Sequence, residues 1–116
     1  MARDQRVEPA VETLWEEFHS RVNMSSGQLR TWLLTQGSGE DAFTGNPDLG
    51  LPEPGRRILA VLGKRKVDLT RTDIELMRES IERIDDLLAA RPPGGVTDED
   101  WRHALLDFGH DPLTAG

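Results

Sequence analysis

The strongest constraint on the fold is a spacing of three and four residues between apolar side chains. The longest example is Ile74, Met77, Ile81, Ile84 and Leu88, which covers two heptads. This spacing puts side chains on one face of an α-helix, whereas a β-strand alternates by two. So short a heptad run is typical of a helix in a bundle rather than of an isolated coiled coil. We therefore expect an all-α fold.

The same spacing recurs in four other segments, so we expect a small compact bundle of about five helices. Their predicted bounds, with capping residues included, are 9–22, 25–37, 54–66, 70–90 and 97–109. Ser25 with Gln28, and Thr70 with Asp73, have the spacing of a capping box, in which each side chain bonds the other residue's backbone N–H. Thr97 is expected to cap the fifth helix.

The segment between the second and third helices, residues 37–54, is dominated by glycine and proline. Loops of this length are uncommon in compact domains and are usually functional or disordered. We predict a long disordered loop here and a flexible N-terminus at residues 1–7. The whole chain, residues 1–116, is expected to be one domain.

Length and composition exclude several classes of protein. A chain of 116 residues buries roughly 65% of the surface that it exposes when unfolded, enough for one core. The absence of cysteine excludes disulfides and thiolate chemistry. The longest clean apolar run, residues 58–62, is far short of the ~20 residues of a membrane helix. With no signal-peptide pattern at the N-terminus, we expect a cytoplasmic protein without membrane contact.

The net charge of −7 is unevenly distributed. Residues 55–72 carry six basic side chains against one acidic side chain, whereas both flanking regions are acidic. We call residues 56–71 the basic segment. Its cations are Arg56, Arg57, Lys64, Arg65, Lys66 and Arg71. The helical period predicts that Arg56, Arg57 and Lys64 share the outward face of the third helix.

Two binding functions follow from the basic segment. Phosphate contacts would make the chain an interaction module for DNA or a nucleoprotein partner, although no Asn or Gln suited to base readout accompanies the cations. Alternatively, the cations meet an acidic surface on a protein partner, on a second copy, or on the acidic helix at 73–90. The overall negative charge opposes general nucleic-acid coating, so the first hypothesis requires a local contact.

The C-terminal residues Gly109, His110 and Asp111 form a second candidate site. A histidine beside an aspartate suggests a general base. No nucleophile motif, phosphate loop or cofactor motif accompanies this pair, so we expect neither an enzyme nor a cofactor. The alternative is a Schellman helix stop, with Gly109 in the left-handed conformation and Leu113 folding back on the cap.

The remaining candidates are a metal site and an aromatic pocket. His19, His103 and His110 are the only histidines and have no metal-binding spacing, so no metal site is predicted. The three tryptophans each lie on the apolar stripe of a different predicted helix, which favours a place in the core. They are Trp15, Trp32 and Trp101.

Three segments, taken in order, resemble a known family. Residues 14–33 read LWEEFHSRVNMSSGQLRTWL, residues 55–70 read GRRILAVLGKRKVDLT, and residues 101–113 read WRHALLDFGHDPL. Together they are similar to domain-of-unknown-function family 3140, which comprises small bacterial and fungal proteins. The resemblance implies a fold but no established activity.

The predicted fourth helix departs from the pattern of that family. Where members of the family carry basic residues and histidine along this helix, this chain carries acidic residues. These are Glu79, Glu82, Asp85 and Asp86. The difference argues against nucleic-acid contacts through this helix.

Overall fold

The computed structural model describes residues 8–36 and 53–114. Within these ranges the chain forms five α-helices and no β-strand, which confirms the all-α prediction. The helices are α1 (Pro9–Arg21), α2 (Ser26–Gln36), α3 (Gly55–Leu62), α4 (Arg71–Ala89) and α5 (Glu99–Leu106). Short 3-10 turns, Lys66–Asp68 and Gly95–Thr97, precede α4 and α5. The predictions for residues 1–7 and for 37–52 of the loop lie outside the described residues.

Both predicted capping boxes are present. The backbone N–H of Ser25 donates to Gln28 Oε1 at 2.8 Å, and that of Gln28 donates to Ser25 Oγ at 3.1 Å. Thr70 and Asp73 exchange the same two bonds at 2.9 and 3.1 Å. These bonds satisfy N–H groups that a helix start leaves without an intrahelical acceptor. They explain why α2 and α4 begin where the sequence predicts.

The predicted cap of α5 is wrong by one residue. Asp98, not Thr97, accepts the backbone N–H of Trp101, at 3.0 Å. Thr97 ends the preceding 3-10 turn, and its hydroxyl donates to Gly94 O at 2.7 Å. Because that hydroxyl is engaged within the turn, the carboxylate of Asp98 caps the helix instead.

The third helix is shorter than predicted. It ends at Leu62 rather than Lys66. Gly63 follows, a residue about 1 kcal/mol less favourable than Ala in a helix, and Arg65 is extended, with φ −84° and ψ 154°. Lys64 therefore lies in the connection to α4 and not on the outward face of α3, which corrects the predicted basic face.

Helices α1 and α4 pack side by side and run in the same direction. Near their N-terminal ends, Lys66 Nζ lies 2.9 Å from Glu12 Oε1. At the end of α1, Arg21 donates two hydrogen bonds to Asp85, at 3.0 and 3.2 Å. The two contacts show that the start of α1 lies beside the start of α4 and that the end of α1 lies beside the later part of α4.

The core draws apolar side chains from all five helices. Its helical members are Leu14, Phe18, Leu29, Leu33, Ile58, Leu59, Val61, Leu76, Met77, Ile84, Trp101, Leu105 and Leu106. On α4 the buried side differs from the predicted stripe, because Leu88 is exposed and Ser80 is buried. Since α4 contacts α1, α3 and α5, its buried surface is wider than one stripe. The Ser80 hydroxyl donates to Leu76 O at 2.8 Å, which satisfies it inside the core.

The tryptophans lie in or against the core, as predicted. Trp101 is buried, and its indole N–H donates to Leu87 O at 2.6 Å. The indole N–H of Trp32 donates to Asp107 Oδ1 at 2.9 Å. Trp15 is partly buried and packs against the core.

Candidate functional site

Two cations of the basic segment lie in the connection before α4 and form ion pairs with neighbouring helices. Lys64 Nζ lies 2.6 Å from Asp73 Oδ2, and Lys66 pairs with Glu12. Burial raises the pKa of the Asp73 carboxyl, but hydrogen bonds from Lys64 and Thr70 outweigh it, so this pKa lies below its ordinary value. Both lysines are therefore engaged in contacts that position α4.

Two arginines of the basic segment pair locally. Arg56 donates to Glu53, and Arg65 Nε lies 2.8 Å from Asp68 Oδ2. The hydrogen bond from Arg65 lowers the pKa of the Asp68 carboxyl. Exposed pairs between residues three apart add little to stability, so a competing anion can displace such a carboxylate.

Arg57 and Arg71 differ from the other four cations. Neither has a carboxylate partner among residues 8–36 and 53–114. Arg57 is half-buried on α3 and Arg71 is exposed at the start of α4. The fold thus engages four of the six predicted binding cations in intramolecular ion pairs.

The C-terminal tail is a helix stop of the predicted kind. His110 N donates to Leu105 O at 3.0 Å and Gly109 N donates to Leu106 O at 2.9 Å, the two bonds of a Schellman motif. Gly109 has φ +79°, a conformation that suits glycine. Leu113 is 62% exposed, so the prediction that it folds back on the cap is wrong. The chain instead turns toward α1 and α2, and the side chain buried after the cap is that of His110.

Hydrogen bonds join this tail to the junction between α1 and α2. Met24 N donates to Gly109 O at 3.1 Å. Asn23 Nδ2 donates to Asp111 O at 3.1 Å, and Asp111 N donates to Asn23 Oδ1 at 2.7 Å. We call the contact of Asn23 and Met24 with residues 109–111 the tail clasp. It connects positions 88 residues apart in the sequence.

The His110 imidazole lies beside the tail clasp and contacts the end of α1. The residue is 4% exposed, and its Nδ1 lies 2.7 Å from Arg21 O. Since a carbonyl oxygen only accepts, Nδ1 carries the proton. Nε2 is buried without a hydrogen-bond partner in the described part of the chain. Asp111 Oδ1 accepts the N–H of Leu113 at 3.0 Å. Both side chains of the predicted tail site thus serve local structure, and the imidazole is closed to solvent.

The other two histidines also make local contacts. His19 Nδ1 lies 3.0 Å from Trp15 O, and the His103 ring lies 4.8 Å from that of Trp32, centroid to centroid. Over the described ranges, no three His, Asp or Glu side chains are grouped so as to hold a metal ion. No helix in those ranges has the combined length and hydropathy needed to cross a bilayer.

A groove between α1 and α4 has no counterpart among the sequence-predicted sites. Its volume is about 320 Å³, and its lining residues are Leu14, Glu17, Arg78, Ile81 and Glu82. Leu14 and Ile81 are the more buried members and form an apolar floor, whereas the charged members are exposed and form a rim. None of these three charged side chains has an ion-pair partner within the described ranges.

Residues 17–106 match the family described as Protein of unknown function (DUF3140). The match covers more than half of the chain and includes all of α2, α3, α4 and α5. The chain belongs to this family. The comparisons with curated proteins and with solved structures give no match.

The DUF3140 match confirms the resemblance found in the sequence. It includes the basic segment and every groove residue except Leu14, and it ends before residues 109–111 of the tail clasp. The family description assigns no activity.

Proposed function

We propose that this DUF3140 protein is a non-enzymatic interaction module that receives a helix of a protein partner in the groove between α1 and α4. The observation that carries the proposal is an apolar floor surrounded by exposed charges that form no ion pair with any residue that the structure describes. Burial of apolar surface is the main favourable contribution to most protein association, while complementary charges favour the correct partner and orientation.

The form of the groove favours a helical partner. It lies between two helices that run in the same direction, and a third helix packs naturally into such a groove with its apolar side chains three and four residues apart. Buried apolar side chains hold α1 against α4, and the ion pairs Lys66–Glu12 and Arg21–Asp85 lie near the two ends of the contact. A surface formed before binding loses less conformational entropy when the partner docks.

The charges of the basic segment favour this proposal over nucleic-acid binding. Four of its six cations are paired within the chain. A phosphate must therefore compete with a carboxylate at most positions, and the net charge of −7 adds general repulsion.

Photo-crosslinking in cells tests the groove directly. A photoreactive amino acid introduced in place of Glu82 should form a covalent adduct with the partner, which mass spectrometry identifies. The same amino acid in place of Glu99, an exposed residue of α5, is the control and should not form that adduct. Binding of the purified partner, measured by calorimetry, should weaken about tenfold in Arg78→Glu, the loss expected for reversing one charge beside a docked helix.

Two results would refute the groove as a binding site. The first is the absence of any adduct specific to position 82. The second is an identified partner whose affinity for Arg78→Glu equals its affinity for the wild-type protein.

Arg57 and Arg71 favour a second candidate function, the binding of DNA or a nucleoprotein. Both are available to phosphates without breaking an ion pair among the described residues. Fluorescence anisotropy of labelled duplex DNA at several salt concentrations tests this function. Loss of two phosphate contacts should reduce the slope of log K against log salt by about 2 in Arg57→Gln/Arg71→Gln.

The matched control is Arg83→Gln/Arg102→Gln, which changes the net charge equally at positions outside the basic segment. An equal loss of affinity in both double variants would mean that DNA responds to net charge alone. No binding by the wild-type protein at low salt would exclude this second function.

A further inference from the structure

We infer that the partner that docks in the α1–α4 groove is a second copy of this chain, with α4 of each copy lying antiparallel across the other. The inference rests on the proposed function and names its partner. The rim of the groove carries both signs of charge on one face of α4, at Arg78 and Glu82, and Ile81 lies beside this pair in the lining of the groove. A surface of this kind is complementary to itself.

The spacing of these charges suits a two-fold axis. Arg78 and Glu82 are four residues apart, so they lie on one face of α4 and about 6 Å apart along the helix. A two-fold axis midway between them places Arg78 of one copy opposite Glu82 of the other, and repeats the pair on the far side of the axis. In such an isologous interface every contact occurs twice. Ile81 points about 80° around the helix from the midpoint of the two charges, so it lies beside the charged pairs, on the side of α4 that lines the groove.

Both charges are available for a contact between copies. Neither has an ion-pair partner in the described ranges. Within one helix, an acidic residue four positions before a basic residue is the favourable order, and here the order is reversed. Asp85, one turn of α4 after Ile81, is already bonded to Arg21 and is not free to take this role.

Neighbouring groove residues strengthen the complementarity. Glu17 of α1 lines the same groove as Arg78 and offers a second carboxylate to the partner's arginine. Glu79 lies as far from the midpoint of the two charges as Ile81 but on the opposite side of the helix, and it does not line the groove. The small apolar floor predicts a weak dimer that forms as concentration rises, below the size class of permanent interfaces.

Sedimentation equilibrium of the full chain at low salt tests the inference. The average mass should rise from one chain toward two over about a hundredfold range of concentration. Arg78→Glu and Glu82→Arg should each weaken self-association about tenfold or more, because each brings two pairs of like charges together across the axis.

An equimolar mixture of Arg78→Glu and Glu82→Arg supplies the decisive measurement. In the mixed dimer both pairs across the axis are again of opposite charge, so association should return to near the wild-type level. Arg83→Glu carries the same charge change on another face of α4 and should self-associate like the wild-type protein. Circular dichroism of each variant verifies that the helices are retained.

A wild-type protein that stays monomeric throughout, or a mixture that associates no better than either variant alone, would overturn the homodimer. The proposed function would survive that result if crosslinking at position 82 identified a different protein. It would fail together with the homodimer if no adduct of any kind formed.

Discussion

At Gly109, backbone conformation and packing both oppose a side chain. A Cβ there would lie 2.8 Å from Val22 Cγ1, at φ +79°. We expect Gly109→Ala to lower the free energy of unfolding by about 2 kcal/mol, since the left-handed conformation alone costs about 1–2 kcal/mol and Val22 must also move. Urea unfolding followed by tryptophan fluorescence measures the change.

Gly27→Ala is the matched control for Gly109→Ala. Gly27 lies in α2 with its nearest neighbouring atom 4.0 Å from the position of an added Cβ. This substitution should leave stability unchanged or raise it by up to about 1 kcal/mol, because Ala is the better helix former. If Gly109→Ala behaved like Gly27→Ala, the strain assigned to the helix stop would be absent.

The His110 side chain contributes a hydrogen bond as well as buried volume. Asparagine at this position keeps an N–H donor near the place of Nδ1, whereas alanine leaves the Arg21 carbonyl without that donor. An unpaired buried acceptor costs about 1–3 kcal/mol. We therefore expect His110→Ala to be less stable than His110→Asn by at least about 1 kcal/mol, measured by urea unfolding. Equal stabilities would mean that the ring acts through packing alone.

At the scale of the element, the charge of Asp73 stabilises the start of α4. Its pKa is lower in the folded protein than the ordinary value of 3.8. The carboxylate therefore adds stability at pH values above the unfolded pKa, and this contribution disappears as the pH falls through the folded pKa. Asp73→Asn should lower the free energy of unfolding by about 1 kcal/mol near pH 7. Below the folded pKa the variant and the wild-type protein should have the same free energy of unfolding. Chemical unfolding near pH 7 and again below the folded pKa tests this expectation.

Two lysine variants separate the sources of this effect. Lys64→Met keeps the aliphatic stem and should raise the pKa of Asp73 toward its ordinary value, as measured by NMR titration of the carboxyl. Lys66→Met removes the same charge two positions away, where the partner is Glu12. It should leave the Asp73 pKa near that of the wild-type protein. An Asp73 pKa that is the same in Lys64→Met as in the wild-type protein would contradict the ion pair.

Element boundaries were predictable where the deciding contacts are local. The capping boxes of α2 and α4 join residues three apart, so the sequence contains the whole signal. The end of α3 was not predictable in this way. Lys64 resembles a cation complementing a helix C-terminus, but its partner is Asp73, nine positions later. The cap of α5 is Asp98 rather than the predicted Thr97, because the Thr97 hydroxyl is bonded within a 3-10 turn.

At the scale of the whole molecule, the candidate groove depends on helices distant in the sequence. Periodicity places Ile81 on an apolar stripe of α4 but does not identify the helix beside it. Glu17 and Glu82 line one groove because α1 packs against α4 in the tertiary fold. Likewise, the sequence predicted the turn at Gly109, whereas its attachment to Asn23 follows from the tertiary fold.

The tail clasp joins the junction between α1 and α2 to the end of the described chain, so it holds the C-terminal tail against the helices. We expect the amide hydrogens of Met24 and Asp111, both of which donate hydrogen bonds in the clasp, to exchange more slowly than those of an unstructured peptide, as measured by NMR under native conditions. Asn23→Ala removes both side-chain bonds to Asp111 but leaves the bond from Met24 to Gly109. It should therefore speed exchange at Asp111 more than at Met24. If Asp111 already exchanges in the wild-type protein at the rate of an unstructured peptide, the clasp does not hold the tail against the helices.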